Sequence, residues 1–299
     1  MKRILALHGV GSSAEILRDQ LTPVVRALSQ NFEFVYLDGV VRRERGPGMA
    51  PNYDGPFYSY TTGYSPAEIR DTLDDLSDFI EDDGPFDGVI GFSQGASVAA
   101  SYILDHQAQH PEKAPPFGFA IFLSSVAAFS PDDLHCLPIV QRLVHQNYEA
   151  VHDFPDRISK KLAISDRVFA EYLATTFKIA RKIGATMPDY DIAFFKHRDP
   201  QKVPRVLHPV LTTHRIQLPT VHFTGKKDDL SMIEQSRLVM GLCDPAMVRV
   251  HEHSGGHAAP SKKPDVDRLV EAIEWAVAES ANQATLQVAL RRLPSRGLL

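Results

Sequence analysis

One short stretch of the sequence constrains the fold more than any other. Residues 86–104 read FDGVIGFSQGASVAASYIL, and Ser93 stands in it between Gly91 and Gly95. The apolar run before Ser93 predicts a buried strand, and the small residues after it predict a helix. A strand that reverses directly into a helix needs a cramped turn, and flanking glycines let neighbouring backbones pass closely. Such a turn would leave the Ser93 hydroxyl exposed, although the same motif also occurs by chance in many chains.

The alternation of strand and helix patterns predicts an α/β fold with a mostly parallel, doubly wound sheet. One of the helical patterns begins at Ser65, where Pro66 and Glu68 complete a capping box. In sheets of this kind, ligands bind beyond the carboxyl ends of the strands, so we expect the chemistry on the strand-to-helix loops. The short apolar runs typical of buried parallel strands are residues 4–7, 32–37, 89–92, 117–123, 221–223 and 247–250.

The alternation lapses over residues 126–218, a segment that is far too long for an ordinary connection. We therefore expect a helical cap insertion there, with a helix over residues 157–183. The core would consist of residues 1–125 and 219–280, and residues 281–299 would form a peripheral tail. Because the insertion leaves the sheet at the same edge as the Ser93 turn, we expect it to cover the active site.

Composition argues against several classes of protein. The formal net charge is −5, and no basic stripe is large enough to neutralise nucleic-acid phosphates. Cys136 and Cys243 have neither metal-ligand spacing nor the pattern of a disulfide framework, which fits a reduced compartment. The N-terminal apolar run is too short for a signal peptide, and no window is long enough for a membrane span. These observations predict a cytoplasmic protein.

A serine hydroxyl becomes a good nucleophile only when an imidazole accepts its proton and a carboxylate orients that imidazole. In an α/β sheet the partners are expected on loops after later strands, in the chain order serine, acid, histidine. Asp228 and Asp229 follow the run at 221–223, and His257 follows the run at 247–250 after two glycines. We predict His257 as the base. The residues alone favour neither aspartate strongly as the acid.

A metal site is the alternative interpretation of the histidines in this last loop. His251 and His253 would share one face of a strand, with His257 close by. No convincing carboxylate or cysteine completes the ligand set, so we expect no metal, and no cofactor is implied. His253 is interpreted instead as a support of the loop through hydrogen bonding.

Acyl transfer also requires at least two N–H donors for the oxyanion. One is expected from the residue after the nucleophile, Gln94, and the other from the turn LHGVGSS after the first strand. We favour the Val10 N–H, with Gly11 as the next choice. The same turn lacks the glycine and lysine spacing of a phosphate-binding loop, so its glycines fit the close approach of an acyl group.

Four motifs in combination resemble one known family. They are LHGVGSS, GFSQG, the turn from Gly225 to Asp228, and the run from His253 to Pro260. Together they are similar to the α/β-hydrolases called the fungal serine hydrolases, which include thioesterases of fungal polyketide clusters and a vertebrate tumour-associated hydrolase. The resemblance covers about residues 2–125 and 219–280, whereas the insertion looks longer than is usual in that family.

The resemblance implies an α/β-hydrolase fold with a six-stranded parallel core. It also implies Ser93 as the nucleophile, Asp228 as the acid and His257 as the base. The expected activity is hydrolysis of acyl thioesters or esters through an acyl-Ser93 intermediate. A polyketide or fatty acyl chain would be released from a carrier protein or coenzyme A in secondary metabolism.

Two sequence features bear on the substrate. Phe57, Tyr58 and Tyr60 lie in a long loop and are candidates for lining an acyl tunnel, although such aromatics pack as ordinary structure at least as often. The insertion carries 13 Lys or Arg and 10 Asp or Glu, a charge of +3 that could receive an acidic acyl carrier protein. A carboxylesterase for small or lipid-like esters would use the same triad, and a non-catalytic ligand receptor would share the fold.

Overall fold

The computed structural model describes residues 1–28, 30–47, 49, 52–186 and 190–291. Strands and helices alternate in it as the sequence predicts. The strands are β1 (Lys2–Leu7), β2 (Phe32–Leu37), β3 (Val41–Arg43), β4 (Phe57–Ser59), β5 (Gly88–Phe92), β6 (Phe119–Leu123), β7 (Thr220–Gly225) and β8 (Val248–His253). The α-helices are α1 (Ala14–Ala27), α2 (Pro66–Asp83), α3 (Gln94–Gln109), α4 (Leu137–Gln141), α5 (Tyr148–Val151), α6 (Ile164–Lys182), α7 (Leu230–Met240) and α8 (Lys263–Arg291).

Six of these strands form one parallel sheet in the order β2-β1-β5-β6-β7-β8. This confirms the predicted α/β-hydrolase fold with its six-stranded, doubly wound sheet. Because all six strands run in one direction, the loops after β1, β5, β7 and β8 meet at the same edge. The short strands β3 and β4 form a separate antiparallel hairpin.

The sheet is covered on both faces. On one face α1 and α8 bury apolar side chains such as Leu21 and Ile273 against the strands. On the other face α2, α3 and the insertion share one continuous apolar cluster with the sheet, in which Phe122 of β6 and Phe169 of α6 both take part. Each large apolar side chain buried in this way contributes about 1.5–3 kcal/mol to folding.

Helix α2 begins as its capping box predicts. The Ser65 hydroxyl accepts a hydrogen bond from the Glu68 N–H at 3.4 Å, and the Glu68 carboxylate accepts one from the Ser65 N–H at 2.9 Å. Pro66, the first helical residue, has no N–H to leave unsatisfied. The predicted capping box is confirmed. Helix α2 begins after the turn that follows strand β4.

The insertion contains α4, α5 and α6 together with a π-helical turn and two short 3₁₀ helices. The helix predicted over 157–183 begins later, at Ile164, because the chain before it turns instead. The Arg157 N–H donates to the Asp153 carbonyl and the Ser159 N–H to the Ala150 carbonyl, which ties this stretch into a loop. The insertion shares its apolar core with the sheet. That it forms a unit separate from the sheet stays a prediction.

The predicted peripheral tail starts inside a helix. Helix α8 continues from Lys263 to Arg291, so residues 281–291 extend an element whose first half is packed on the sheet. The remaining part of the predicted tail, residues 292–299, lies outside the described residues.

Candidate active site

Ser93 lies in the turn between β5 and α3, with φ 52° and ψ −111°. Residues other than glycine rarely adopt this backbone conformation, because it costs about 1–3 kcal/mol. It is typical of functional sites. A Cβ on Gly91 would lie 2.5 Å from the backbone of Ala96, and a Cβ on Gly95 would overlap the Leu7 carbonyl. The two glycines therefore allow the close passage that the sequence predicts.

The Ser93 hydroxyl is not as open as the motif suggests. Ser93 is only 6% exposed, because the turn lies at the bottom of a cavity with helix α6 in its wall. The sequence prediction of an exposed hydroxyl considered the turn alone. The structure adds the insertion, which limits access to the turn.

His257 connects Ser93 with Asp228. Its Nε2 lies 3.0 Å from the Ser93 Oγ, and its Nδ1 lies 2.8 Å from the Asp228 Oδ2. The Asp228 side chain is 4% exposed and that of His257 is 28% exposed. Because a carboxylate only accepts hydrogen bonds, Nδ1 carries the ring proton and Nε2 is free to accept the proton of the Ser93 hydroxyl.

Asp229, the competing candidate for the acid, has its carboxylate hydrogen bonds with Ser231 and Lys182, whereas His257 bonds to Asp228. One carboxylate oxygen accepts hydrogen bonds from the N–H and the hydroxyl of Ser231, at 3.0 and 2.8 Å, and so caps α7. These hydrogen bonds from Ser231 hold the pKa of Asp229 below its usual value, with a smaller contribution from Lys182. The Asp229 N–H donates to Asp228 at 2.8 Å and helps to orient that carboxylate.

The loop that carries His257 is held at both ends. The Ser254 N–H and hydroxyl donate to the Asp265 carboxylate of α8 at 3.1 and 2.8 Å, which lowers the pKa of Asp265. The Lys227 N–H donates to the Gly255 carbonyl at 2.9 Å, which joins the loop that carries Asp228 to the loop that carries His257. The separation of Asp228 and His257 is therefore fixed by backbone contacts as well as by their own hydrogen bond.

The other two histidines near this loop have separate contacts. His253 accepts a hydrogen bond from the Gly255 N–H at 3.1 Å, and its ring stacks on Phe223 with 5.7 Å between centroids. Burial lowers the pKa of His253. The His251 ring also packs beside Phe223, at 5.8 Å. Within the described part of the chain, no group of three or more His, Cys, Asp or Glu could hold a metal ion.

The turn after β1 approaches Ser93 closely. A Cβ on Gly9 would lie 3.4 Å from the Cβ of Ser93. The Gly11 N–H already donates to the Tyr58 carbonyl at 2.8 Å, so the second choice for the oxyanion donor is occupied. Across the described residues, neither the Val10 nor the Gln94 N–H has a hydrogen-bond acceptor. Both belong to residues that line the cavity above Ser93.

The cavity and its mouth together contain about 870 Å³ of space between atoms, which includes open solvent. Ser93 and His257 line its floor, and its walls include residues of the turn after β1, the stretch after β6, and helices α6 and α7. Aromatic side chains form a large part of the wall, with Tyr64 5.0 Å from Phe129 and 5.5 Å from Phe177 between ring centroids. Helix α6 and the residues after it supply Thr176, Phe177, Ile179, Ala180, Ile183 and Ala185.

Comparison with known proteins identifies the family. A family model described as "Serine hydrolase (FSH1)" matches residues 1–269. The chain belongs to this serine hydrolase family. The hydrolase is similar to esterase alnB of Emericella nidulans, with 41% identity over 95% of this chain and 99% of the relative. It is also similar to hydrolase FUB4 of Fusarium oxysporum (31% identity, 91% and 97% covered) and to serine hydrolase cnsH of Penicillium expansum (29%, 78% and 95%).

The hydrolase does not bring Phe57, Tyr58 and Tyr60 to the cavity wall, where the sequence analysis expects them. Phe57 packs under the Arg45 guanidinium, 5.5 Å from its ring centroid. Tyr60 is 7% exposed, and its hydroxyl donates to the Leu37 carbonyl at 2.9 Å. The backbone of Tyr58 exchanges hydrogen bonds with Gly11 and Ser12, and the Tyr60 hydroxyl accepts one from the His8 N–H, so these two residues support the turn after β1.

Sequence reasoning missed most of the cavity-lining residues. Tyr64 stands one residue before the capping box of α2, and Phe129 lies just beyond the end of β6. Phe177 lies within the helix predicted over residues 157–183. The other cavity-lining residues lie on loops and helix faces, and tertiary packing decides which of these face the cavity.

No helix among the described residues of the hydrolase is long and apolar enough to cross a membrane. Both cysteines are free thiols, and Cys243 is buried. Burial raises the pKa of the Cys243 thiol to about 12.

Proposed function

We propose that the hydrolase cleaves acyl thioesters or esters with Ser93 as nucleophile, His257 as base and Asp228 as the acid. The Ser93 Oγ would attack the acyl carbonyl carbon while its proton passes to the His257 Nε2. The tetrahedral oxyanion would be bound by the Val10 and Gln94 N–H groups. Its collapse would break the bond to the leaving group, which takes the proton from His257. Water activated by His257 would then release the acid from acyl-Ser93.

The observation that carries this proposal is the hydrogen-bond chain from Asp228 through His257 to Ser93. Its two distances, 2.8 and 3.0 Å, suit proton transfer without rearrangement. Two backbone N–H groups without acceptors in the described structure border the same space. A receptor that has lost turnover would have no need to keep this arrangement.

The cavity supports a bulky, mainly apolar acyl group. Its wall is built mainly from aromatic and aliphatic side chains, which favour apolar ligands of matching size. A polyketide or a fatty acyl chain would suit such a wall.

For the leaving group we favour a thiol, as in acyl coenzyme A or an acyl carrier protein of secondary metabolism. The support is the +3 charge of the insertion, in which Lys160, Lys161 and Lys196 are exposed. None of these three lysines forms a salt bridge within the described residues. An acidic carrier protein would find unpaired cations there. The two free cysteines support a cytoplasmic location.

A substrate panel tests the proposal. The purified protein is assayed with acyl-coenzyme A, acyl-N-acetylcysteamine and matched oxygen esters, each with acetyl, octanoyl and aromatic acyl groups. The Ser93→Ala variant is the control for background hydrolysis. We expect the thioesters of bulky acyl groups to give the highest kcat/KM. Faster cleavage of the matched oxygen esters would favour a carboxylesterase, and no cleavage beyond the Ser93→Ala background would refute the proposed activity.

A further inference from the structure

The side chain of His8 is buried beside the candidate oxyanion site and has no part in the proton transfer described above. It is 0% exposed and follows the last residue of β1. Its Nδ1 lies 2.7 Å from the Gly9 carbonyl oxygen, and its Nε2 lies 3.0 Å from the Gly39 nitrogen. Its ring also packs on Tyr60, with 4.7 Å between centroids.

These two partners define the protonation state of His8. The Gly39 N–H is only a donor, so the His8 Nε2 must accept and carries no proton. The Gly9 carbonyl is only an acceptor, so the His8 Nδ1 must carry the proton and donate. The neutral Nδ1–H form satisfies both contacts, whereas a doubly protonated ring would place a donor against the Gly39 N–H. Burial also lowers the pKa of His8, in keeping with the neutral form.

The Gly9 carbonyl is part of the peptide group that carries the Val10 N–H. A trans peptide is planar, with its N–H pointing opposite to its C=O. A hydrogen bond that fixes the direction of the Gly9 oxygen therefore also fixes the direction of the Val10 N–H. Glycine at position 9 has no side chain to hold this plane, and a Cβ there would lie 3.0 Å from Phe92. A contact from another residue must therefore fix the orientation of the Gly9–Val10 peptide.

We propose that His8 is a positioning residue, whose Nδ1–H fixes the Gly9–Val10 peptide so that the Val10 N–H points at the oxyanion formed on Ser93. The inference rests on the proposed function, because an oxyanion forms only in acyl transfer. It also explains two further contacts. The His8 N–H donates to the Tyr60 hydroxyl at 2.8 Å, and Tyr60 in turn donates to Leu37. These two bonds tie the His8 backbone to Tyr60 and to the end of β2, while the His8 ring itself contacts Gly39 and Tyr60.

Two amide variants separate this role from general core packing. The amide nitrogen of asparagine is two bonds from Cβ, as Nδ1 is, so His8→Asn keeps a donor for the Gly9 carbonyl. The amide oxygen of glutamine is three bonds from Cβ, as Nε2 is, so His8→Gln keeps an acceptor for the Gly39 N–H. Each variant retains one of the two native hydrogen bonds and loses the other.

We expect His8→Gln to lower kcat about 10- to 100-fold with KM changed less than about threefold, since an oxyanion donor acts in the transition state. His8→Asn should retain kcat within about fivefold of the native value. Melting temperatures establish that both variants are folded under assay conditions. Equal kcat values for the two variants, or a loss confined to KM, would overturn the inference.

A measurement on the native protein needs no variant to fold. Long-range ¹H–¹⁵N correlation spectra of histidine-labelled protein distinguish the two neutral tautomers and the cation. We expect His8 as the neutral Nδ1–H tautomer at pH 7, and an Nε2–H tautomer or a cation would overturn the inference. The Ser93→Ala variant, assayed alongside, separates the two claims. Undiminished activity there refutes the proposed function, whereas its loss with equal His8 variants refutes only the role of His8.

Discussion

Asp228 and Asp229 are neighbours in the sequence, and their carboxylates contact different parts of the molecule. Asp228 accepts a hydrogen bond from His257, and Asp229 accepts two from Ser231 at the start of α7. We therefore expect Asp228→Asn to lower kcat about 10⁴-fold, because the asparagine N–H would force His257 into the wrong tautomer. Steady-state kinetics with the best ester of the panel give the measurement.

Asp229→Asn is the matched control for this substitution. Asparagine caps helices about as well as aspartate, so kcat and the melting temperature should stay close to the native values. Equal losses of kcat in both variants would mean that the acid of the triad is not Asp228 alone.

At the scale of single residues, the sequence predicted which residues would lie close together. It did not predict the direction in which their side chains would point. The glycines around Ser93 and the chain order of serine, aspartate and histidine led to the prediction of Ser93 and His257, which lie within hydrogen-bond distance of each other. The choice between Asp228 and Asp229 depends on where α7 begins, because the residue at its N-cap turns toward the helix. Local patterns carried no signal for the His8 hydrogen bonds, which involve Gly39, 31 positions away.

At the scale of secondary-structure elements, helix α6 limits the size of the cavity. Ala180 lines the cavity, whereas Thr175 on the same helix is exposed and lies outside it. We expect Ala180→Phe to fill part of the cavity and to lower kcat/KM for bulky acyl substrates about 10-fold or more. Acetyl substrates should be affected less than about threefold, because Ser93, Asp228 and His257 lie on loops of the sheet.

Thr175→Phe adds a similar side chain outside the cavity and should leave both kinds of substrate unaffected. Measuring kcat/KM for acetyl and bulky esters with both variants checks the expectation. A parallel fall for acetyl and bulky substrates in a folded Ala180→Phe protein would contradict a selective role of α6.

The elements themselves were predictable where their patterns were local. The six parallel strands follow from short apolar runs, and α2 follows from the Ser65 capping box. The hairpin of β3 and β4 was not predictable, because its pairing of Val41 with Ser59 joins residues 18 positions apart across a loop of turn residues. Phe57 and Tyr58 belong to this hairpin and Tyr60 follows it directly, and none of the three lines the cavity.

The buried histidines make the stability of the whole molecule depend on pH. Burial lowers the pKa of His222 to about 3 from an unfolded value of 6.5. Below pH 6.5 the unfolded chain therefore binds a proton at this site that the native protein does not bind until about pH 3. The free energy of unfolding should fall by about 1.4 kcal/mol per pH unit over this range from His222 alone. Burial also lowers the pKa of His8, His106, His135, His208, His251 and His253.

Replacement of His222 by a side chain that does not titrate tests this origin of acid sensitivity. His222→Gln should flatten the fall in unfolding free energy between pH 6.5 and pH 4, measured by urea titration at each pH. The exposed His145 provides a control, since His145→Gln should keep the native slope. The expectation fails if both variants keep the native dependence on pH.

Most directly, the central claim is tested by covalent labelling of the nucleophile. The native protein is incubated with a fluorophosphonate probe, and the modified peptide is identified by mass spectrometry, with Ser93→Ala and His257→Ala treated in parallel. The account predicts a single modification on Ser93, strongly slowed labelling of His257→Ala and none of Ser93→Ala. Labelling at another serine, or an unlabelled native protein, would contradict it.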